Sequence, residues 1–287
     1  DGRQSDAAMW PDVDNDGDLD VFTNVYLHRN YDLQEGTNDL LLNNGDATFT
    51  LSPSSTFHDE PNWNTPAAVF VDYDNDGNVD LYTGHWYNPD STLTVDHLYK
   101  GDGEGGFTNV TDGSGIDQAT TCVYAVAAFD WNDDGFTDLF APPYSRSVLG
   151  TVPRHFRNNG DGTFTQVQDQ TGYDQYRGLL GAVSFGTVPA DFDNDGDQDF
   201  LEILTHGEGD GEGSVHTTAV ANVDEVFSWD FYRVYDRGTE DPDLTHHGDH
   251  YGSWFDFDGD MLVDFTLTES GYENPRLYLF EQNPDHT

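Results

Sequence analysis

The sequence has one cysteine and one lysine, and it contains no long apolar run. A single cysteine, Cys122, excludes an internal disulfide framework and any zinc site built from several cysteines. No stretch approaches the roughly 18 consecutive apolar residues that a membrane-spanning helix requires. We therefore expect no membrane insertion and no small disulfide-linked fold.

Basic residues are also scarce, because 10 Lys and Arg stand against 55 Asp and Glu, for a formal net charge of -45. A field of this sign repels phosphate backbones and anionic membranes, so we expect no nucleic-acid partner. Five bound divalent ions would neutralise only ten of these charges. Most of the acidity therefore needs another explanation, and a surface suited to salt-rich surroundings provides one.

The residues that are present predict a folded β protein. Hydrophobic residues make up 35% and aromatic residues 14%, with 30 glycines and 12 prolines, which is too apolar for a disordered acidic tail and suits a turn-rich chain. One nonapeptide recurs about every 60 residues. Its five copies are "DVDNDGDLD" (12–20), "DYDNDGNVD" (72–80), "DWNDDGFTD" (130–138), "DFDNDGDQD" (191–199) and "DFDGDMLVD" (256–264).

Each acidic loop is flanked by short apolar runs that predict two strands. A weaker repeat downstream, such as "HLYKGDGEGGFT" and "HFRNNGDGTFT", predicts a third strand, a turn and a fourth strand. Four short strands in about 60 residues are typical of a β-propeller blade. We predict an all-β propeller domain over residues 1–287, with five repeats and an incomplete last blade. A fragment of a propeller with six to eight blades is the alternative.

The loops predict calcium sites. Aspartate at positions 1, 3 and 5 with glycine at 6 places alternate oxygen ligands around one point, the carbonyl of residue 7 faces inward, and an aspartate follows at position 9. Five or six flexible oxygens suit Ca²⁺ better than Mg²⁺. Up to five ions are expected, with weaker sites in the third loop, where Asn132 replaces a carboxylate, and in the fifth, where Met261 replaces glycine. The predicted ligands are Asp12, Asp14, Asp16, Asp18, Asp20, Asp72, Asp74, Asp76, Asn78, Asp80, Asp130, Asn132, Asp134, Phe136, Asp138, Asp191, Asp193, Asp195, Asp197, Asp199, Asp256, Asp258, Asp260, Leu262 and Asp264.

The pairing of "VFVDYDNDGNVDLYTG" with "HFRNNGDGTFTQVQDQTG" resembles the FG-GAP or VCBS repeat family, and the resemblance spans essentially the whole chain. It implies a propeller in which calcium rigidifies the inner hairpin of each blade, with ligands at Asp12, Asp14, Asp16, Asp20 and the matching positions of the other loops. It also implies an extracellular location, secreted or cell-surface, because calcium sites of micromolar or weaker affinity fill reliably only outside the cell. It does not imply a particular substrate.

Function is predicted to reside on the face opposite the acidic loops. Aromatic and imidazole rings there could stack on sugars or act as acid and base. The candidate ligand-binding residues are His28, His85, Trp86, Tyr87, Tyr144 and His206. The leading hypothesis is an adhesion or ligand-binding module for a carbohydrate or protein, without catalytic activity. Two alternatives stay open: a polysaccharide lyase that uses these His and Tyr residues, and a structural subunit that self-associates through its incomplete last blade.

Overall fold

The computed structural model describes residues 7–24, 38–52, 65–86, 94–116, 120–143, 153–173, 182–206, 217–233, 249–269 and 276–282. Strands dominate these residues, and the one helix among them is the single turn α1, Gln168–Thr171. The predicted all-β fold class, built from β-propeller blades, is confirmed.

Five antiparallel sheets follow one another along the chain, one for each repeat. Within each sheet the strands lie in chain order, and the acidic loop joins the first strand to the second. The first sheet contains β1 (Ala7–Met9), β2 (Val21–Asn24), β3 (Asp39–Asn43) and β4 (Phe49–Leu51). The second contains β5 (Ala67–Val71), β6 (Asp80–Gly84), β8 (His97–Gly101) and β9 (Phe107–Asn109), with β7 (Thr94–Val95) paired separately to β10 (Thr120–Thr121).

The remaining sheets repeat this order. The third contains β11 (Ala127–Phe129), β12 (Asp138–Ala141), β13 (Arg154–Asn158) and β14 (Phe164–Gln166). The fourth contains β15 (Ala182–Ala190), β16 (Asp199–His206), β17 (Thr218–Val223) and β18 (Val226–Arg233). The fifth contains β19 (Asp249–Phe255), β20 (Asp264–Glu269) and β21 (Arg276–Phe280), so it has three strands within the described residues.

Four strands were predicted for each blade, but no downstream repeat in the sequence located the third and fourth strands of the fourth sheet. They form a hairpin that turns at Asp224 and Glu225, which both have positive φ angles, of 52° and 63°. Two consecutive residues of positive φ characterise the tight turn that matches the twist of a β-hairpin. Asp-Gly or Asn-Gly would have signalled this turn, whereas Asp-Glu does not.

The chain divides into two compact units. The first comprises Asp1–Ala128 with Phe156–Gln166, and the second comprises Phe129–His155 with Val167–Thr287. The division passes through the third sheet, and the single-domain organisation stays a prediction. In the first unit, apolar residues of the first and second sheets share one core. Its buried members are Val13, Phe22, Leu40, Ala68, Leu81, Tyr99 and Phe107.

The second unit has an equivalent core between the fourth and fifth sheets. Its buried members are Phe192, Leu201, Ile203, Ala219, Ala221 and Leu267, and Trp254, Phe265 and Phe280 pack against them. An aromatic cluster fills another part of this unit, where the rings of Phe140 and His155 stack with their centroids 4.2 Å apart. Sheets of this chain are therefore stabilised by face-to-face packing of successive repeats.

Candidate metal centres

The five acidic loops share one backbone conformation, in which the fourth and sixth residues have positive φ angles. Asparagine, aspartate and glycine adopt this conformation more readily than other residues. The fourth-position residues are Asn15, Asn75, Asp133, Asn194 and Gly259, and the sixth-position residues are Gly17, Gly77, Gly135, Gly196 and Met261. The fifth loop thus keeps the shape of the others even though its glycine stands two positions earlier.

Carboxylates within each loop hold this conformation. The first aspartate accepts a hydrogen bond from the backbone N–H of the sixth residue, at 2.8 to 3.1 Å in the five loops. The fifth-position aspartate accepts one from the N–H of the seventh, at 2.8 to 3.0 Å. The backbone therefore curls around a centre to which the side-chain oxygens point.

Three carboxylate oxygens lie within 4.8 Å of one another in four of the loops. The groups are Asp12, Asp14 and Asp20; Asp72, Asp74 and Asp80; Asp191, Asp193 and Asp199; and Asp256, Asp258 and Asp260. This crowding is unfavourable without a cation: burial, followed by the charges of Asp20 and Asp16, raises the pKa of Asp14. Such a donor set of hard oxygens suits Ca²⁺.

Several of these oxygens have capacity to bind a cation. Asp12 Oδ1, Asp74 Oδ1 and Asn132 Oδ1 are buried and accept no hydrogen bond from the described residues. A buried polar atom without a partner costs free energy, which a bound cation would recover. The residues present therefore fit the calcium that the sequence predicts.

The ninth aspartate has a second role, which the sequence did not reveal. It is at most 1% exposed in all five loops. In the fourth loop, Asp199 accepts hydrogen bonds from the backbone N–H of Phe192 at 3.0 Å and of Asn222 at 2.7 Å. Both oxygens are used in the same way in the first, second and fifth loops. Burial raises the pKa of Asp80 and of Asp199 to about 7, a cost that a bound divalent cation would offset.

In each of the first four loops, the backbone carbonyl of the second residue accepts a hydrogen bond from the following repeat. Side-chain amides at the end of the third strand donate most of these bonds. The pairs are Asn158 with Tyr73 at 2.7 Å, Asn222 with Trp131 at 2.9 Å and Gln282 with Phe192 at 2.8 Å. In the second sheet this position is Gly101, which has no side chain. The backbone N–H of Gly105 donates to the carbonyl of Val13 instead, at 3.2 Å.

In the third loop, Asn132 gives a physical reason for the predicted weaker site. Its Nδ2 donates to Asp134 Oδ2 at 3.0 Å, so an amide occupies an oxygen that a cation would use. The substitution also removes one negative charge from the loop. Lower affinity at this loop stays a prediction.

The second loop is distinguished by Lys100, the one lysine of the sequence. Its ammonium group contacts Asp74 Oδ2 and lies 2.9 Å from Asp76 Oδ2. Hydrogen bonds to Asp74 and Asp76 raise the pKa of Lys100, and the bond from Lys100 is the main cause that lowers the pKa of Asp76. A positive charge carried by the chain itself therefore stands among the predicted calcium ligands.

Replacing Lys100 by methionine should have opposite effects with and without calcium. In chelator the acidic loop loses its internal counter-charge, and we expect the free energy of unfolding to fall by about 1 kcal/mol. In calcium the competing charge is gone, and one site should bind roughly tenfold more tightly. Urea unfolding and calorimetric titration measure the two effects. Arg157→Met is the matched control, because Arg157 has the same strand position in the third sheet but contacts Asn159; equal behaviour of the two variants would contradict this prediction.

The fifth loop carries conformational strain at Met261, whose φ is 73° and whose side chain is 83% exposed. Met261→Gly should raise the free energy of unfolding by about 1 kcal/mol, because glycine adopts positive φ without steric cost and little packing is lost. The converse change, Gly196→Ala in the fourth loop, should lower the free energy of unfolding by a similar amount. Alanine is strained at the positive φ of this position, and its Cβ would meet no atom within 4 Å that could offset the strain by packing. Urea unfolding in chelator measures both. A destabilised Met261→Gly protein would show that the methionine makes a useful contact.

Of the residues predicted to bind a ligand, two are described with their side chains. His85 is 1% exposed and Trp86 is 7% exposed. The ring of His85 lies 4.9 Å from that of His97, and burial, followed by the charge of His97, lowers the pKa of His85. These rings are therefore core side chains in this structure. His28, Tyr87, Tyr144 and the side chain of His206 lie outside the described residues, and ligand binding by this set stays a prediction.

Two stretches of the chain, residues 12–83 and 147–202, match the family model described as FG-GAP-like repeat. These two stretches, 128 of the 287 residues, are similar to FG-GAP-like repeats. The matched stretches contain the first, second and fourth acidic loops, so the resemblance predicted from the sequence is confirmed. A comparison with curated proteins found no match.

FG-GAP repeats are typical of extracellular proteins, often bind calcium and indicate a ligand-binding or adhesion-type module. The aspartate clusters are compatible with that metal. Within the described residues, no helix has the length and apolar character needed to cross a membrane.

Proposed function

We propose that the FG-GAP repeats of this chain form a calcium-stabilised extracellular module that binds a carbohydrate or protein ligand. The calcium part rests on three buried oxygens that accept no hydrogen bond from the described residues, one in each of the first three loops: Asp12 Oδ1, Asp74 Oδ1 and Asn132 Oδ1. Carboxylate and amide oxygens that keep lone pairs free of hydrogen bonds are suitable ligands for a hard cation.

Calcium has a structural role in this proposal. The predicted ligands join the first and second strands of each sheet, and the ninth aspartate also bonds to the third strand. An ion held by residues 1, 3, 5, 7 and 9 of a loop would fix three strands relative to one another. The metal supplies charge neutralisation and rigidity, whereas recognition of the ligand is left to other surfaces.

Thermal unfolding with and without calcium tests this role. Each site filled at a concentration 100-fold above its Kd adds about 2.7 kcal/mol to the free energy of unfolding, so a large increase in Tm is expected. Magnesium at the same ionic strength controls for charge screening and should give a smaller increase. Equilibrium dialysis counts the ions. Unchanged melting in chelator together with no bound calcium would refute the calcium part.

The nature of the ligand is constrained by charge. With a net charge of -45, the chain repels polyanions over the Debye length, so a neutral glycan or a basic protein surface is favoured. A glycan array that carries both neutral and sulfated glycans, read in calcium, tests the carbohydrate form of the proposal. Binding to neutral glycans alone supports it, and preferential binding to sulfated glycans would contradict the charge argument.

A further inference from the structure

Successive acidic loops of one compact unit meet at a set of three residues, which we call a loop junction. It consists of the fourth residue of one loop, the seventh residue of the next loop, and a residue of positive φ in the turn that follows the third strand of the next sheet. Between the first and second loops these are Asn15, Asn78 and Gly103. Asn15 Nδ2 donates to Asn78 Oδ1 at 2.9 Å. A Cβ on Gly103 would clash with Asn78 Oδ1 and lie 2.9 Å from Asn15 Nδ2, so the three residues are in contact and neutral.

The junction between the third and fourth loops has an acid at each of the three positions. Asp133 is the fourth residue of the third loop, and Asp197 is the seventh residue of the fourth loop. Asp224, whose φ is 52°, begins the turn of the following hairpin. Three carboxylates therefore replace the two amides and the glycine of the first junction. The residues at the corresponding positions of the second and third repeats are also neutral: Asn75, Phe136 and Gly160.

The three carboxylates are close enough to interact. Burial, followed by the charges of Asp195, Asp133, Asp191 and Asp224, raises the pKa of Asp197. No lysine or arginine in the described part of the chain forms an ion pair with any of the three junction acids. Their oxygens are not among the groups that lie within 4.8 Å of one another. All three side chains reach solvent, so rotation about their side-chain bonds can bring the oxygens to a shared cation.

A buried amide oxygen is a second and independent indication of a ligand. Asn222 is 1% exposed, and its Nδ2 donates to the carbonyl of Trp131 in the third loop at 2.9 Å. Its Oδ1 is buried and accepts no hydrogen bond from the described residues. In the first and third sheets the corresponding Oδ1 accepts the N–H of the residue two positions later. The pairs are Asn43 with Gly45 at 3.1 Å and Asn158 with Gly160 at 3.0 Å. In the fourth sheet that residue is Asp224, so the oxygen is directed at the junction and needs another partner.

We propose that the junction of the third and fourth loops binds one Ca²⁺ in addition to the ions of the acidic loops. Its ligands are the carboxylates of Asp133, Asp197 and Asp224 together with Asn222 Oδ1, and water completes the coordination. Hard oxygens from separate segments suit Ca²⁺, which takes six to eight ligands in flexible geometry. The seventh residue of a loop offers its carbonyl to the loop ion, so the side chain of Asp197 is available. The junction ion links two repeats where an amide hydrogen bond links the first two.

The variant Asp133→Asn/Asp197→Asn/Asp224→Gly tests this proposal, because it gives the third and fourth loops the residues of the first junction. Asparagine and glycine already hold these positions in other repeats, so the fold should be retained, which circular dichroism checks. Equilibrium dialysis at constant ionic strength counts the calcium ions bound at saturation, and we expect one ion fewer than in the wild type. In chelator the variant should be more stable, because repulsion between the acids is removed. Calcium should then raise its Tm by less than it raises the Tm of the wild type.

The matched control is Glu104→Gln/Asp112→Asn/Asp169→Asn, which removes the same charge at exposed positions outside the acidic loops and should bind as many ions as the wild type. An equal count in the junction variant and the wild type would overturn the proposal, even if the loop sites bound more weakly, because lost charge alone shifts their midpoints without removing a site. Loss of two or more ions would also overturn it, since the junction acids would then serve the loop ions. In both cases the calcium role of the loops stands. No calcium bound by the wild type would instead refute that role and the junction site together.

Discussion

Replacing Asp199 by alanine is expected to lower the free energy of unfolding by about 3 kcal/mol, even when no metal is present. The carboxylate is fully buried and accepts the backbone N–H groups of Phe192 and Asn222. Alanine leaves both donors buried without partners, and each such group costs about 1 to 3 kcal/mol. The raised pKa of Asp199 shows that its own burial is unfavourable, which offsets part of the loss. Urea unfolding in chelator measures the effect without contributions from calcium.

Asp197→Ala in the same loop is the control for this prediction. Asp197 is partly exposed, and burial, followed by the neighbouring acids Asp195 and Asp133, raises its pKa. Removing this side chain relieves repulsion between acidic groups, so the free energy of unfolding of the Asp197→Ala protein should equal that of the wild type or be slightly higher. In calcium, Asp199→Ala should in addition lose affinity at one site. Equal stability of the two variants in chelator would show that the ninth aspartate is a metal ligand without a structural role.

The sequence was sufficient to predict the repeat architecture because the acidic loop fixes the register of each sheet. The Asp-rich loop defines where the first strand ends and the second begins, so β5 and β6 follow directly from "AAVFVDYDNDGNVDLYTG". The hairpin at Asp224 and Glu225 was missed because tertiary context holds ordinary residues at positive φ there. Turn chemistry alone could not reveal it.

The candidate site was predicted at the level of ligands but not of their surroundings. A recurring aspartate at position 9 is found in the sequence whether its carboxylate binds a metal or accepts a hydrogen bond from a buried N–H. Only the folded structure distinguishes these two roles. Asparagine near the end of the third strand, at Asn158 and Asn222, was a recurring signal that could have indicated the bonds between repeats. Lys100 could also have been recognised as exceptional from the sequence, because it is the one lysine in a strongly acidic chain.

The placement of His85 shows why surface residues are harder to predict than loops. It follows β6 directly, and two hydrogen bonds accepted by Asp96, from Tyr82 Oη at 2.7 Å and from the backbone N–H of His85 at 3.1 Å, fix the chain there. The distance of His85 from the acidic loop can be counted in the sequence, but the side of the sheet to which its ring turns cannot. A shift of one residue in a strand reverses that side.

Glu202→Gln is expected to make the protein more stable at alkaline pH and to leave its stability near pH 5 almost unchanged. Glu202 lies on β16 and is fully buried, and its Oε2 accepts a hydrogen bond from Thr187 Oγ1 at 2.7 Å. Thr187 Oγ1 is in turn 3.1 Å from the hydroxyl of Tyr173. Burial raises the pKa of Glu202 to about 8, from an ordinary value of 4.5. Glutamine preserves the acceptor without a charge.

The direction of the effect follows from proton binding. Between about pH 4.5 and pH 8 the unfolded carboxyl is ionised and the folded one is protonated, so unfolding releases a proton and stability falls as pH rises. The slope from one group is at most about 1.4 kcal/mol per pH unit. At pH 9 we expect Glu202→Gln to exceed the wild type by on the order of 3 kcal/mol.

Urea unfolding from pH 5 to pH 9, at constant calcium and salt, measures this difference between Glu202→Gln and the wild type. Asp80 and Asp199 titrate in the same window, but they are present in both proteins, so subtracting one curve from the other isolates Glu202. Glu225→Gln, at an exposed turn of the same sheet, should follow the wild-type curve. Parallel curves for Glu202→Gln and the wild type would mean that Glu202 is ionised in the folded protein, and its buried Oε1 would then need a cationic or water partner that the described residues do not supply.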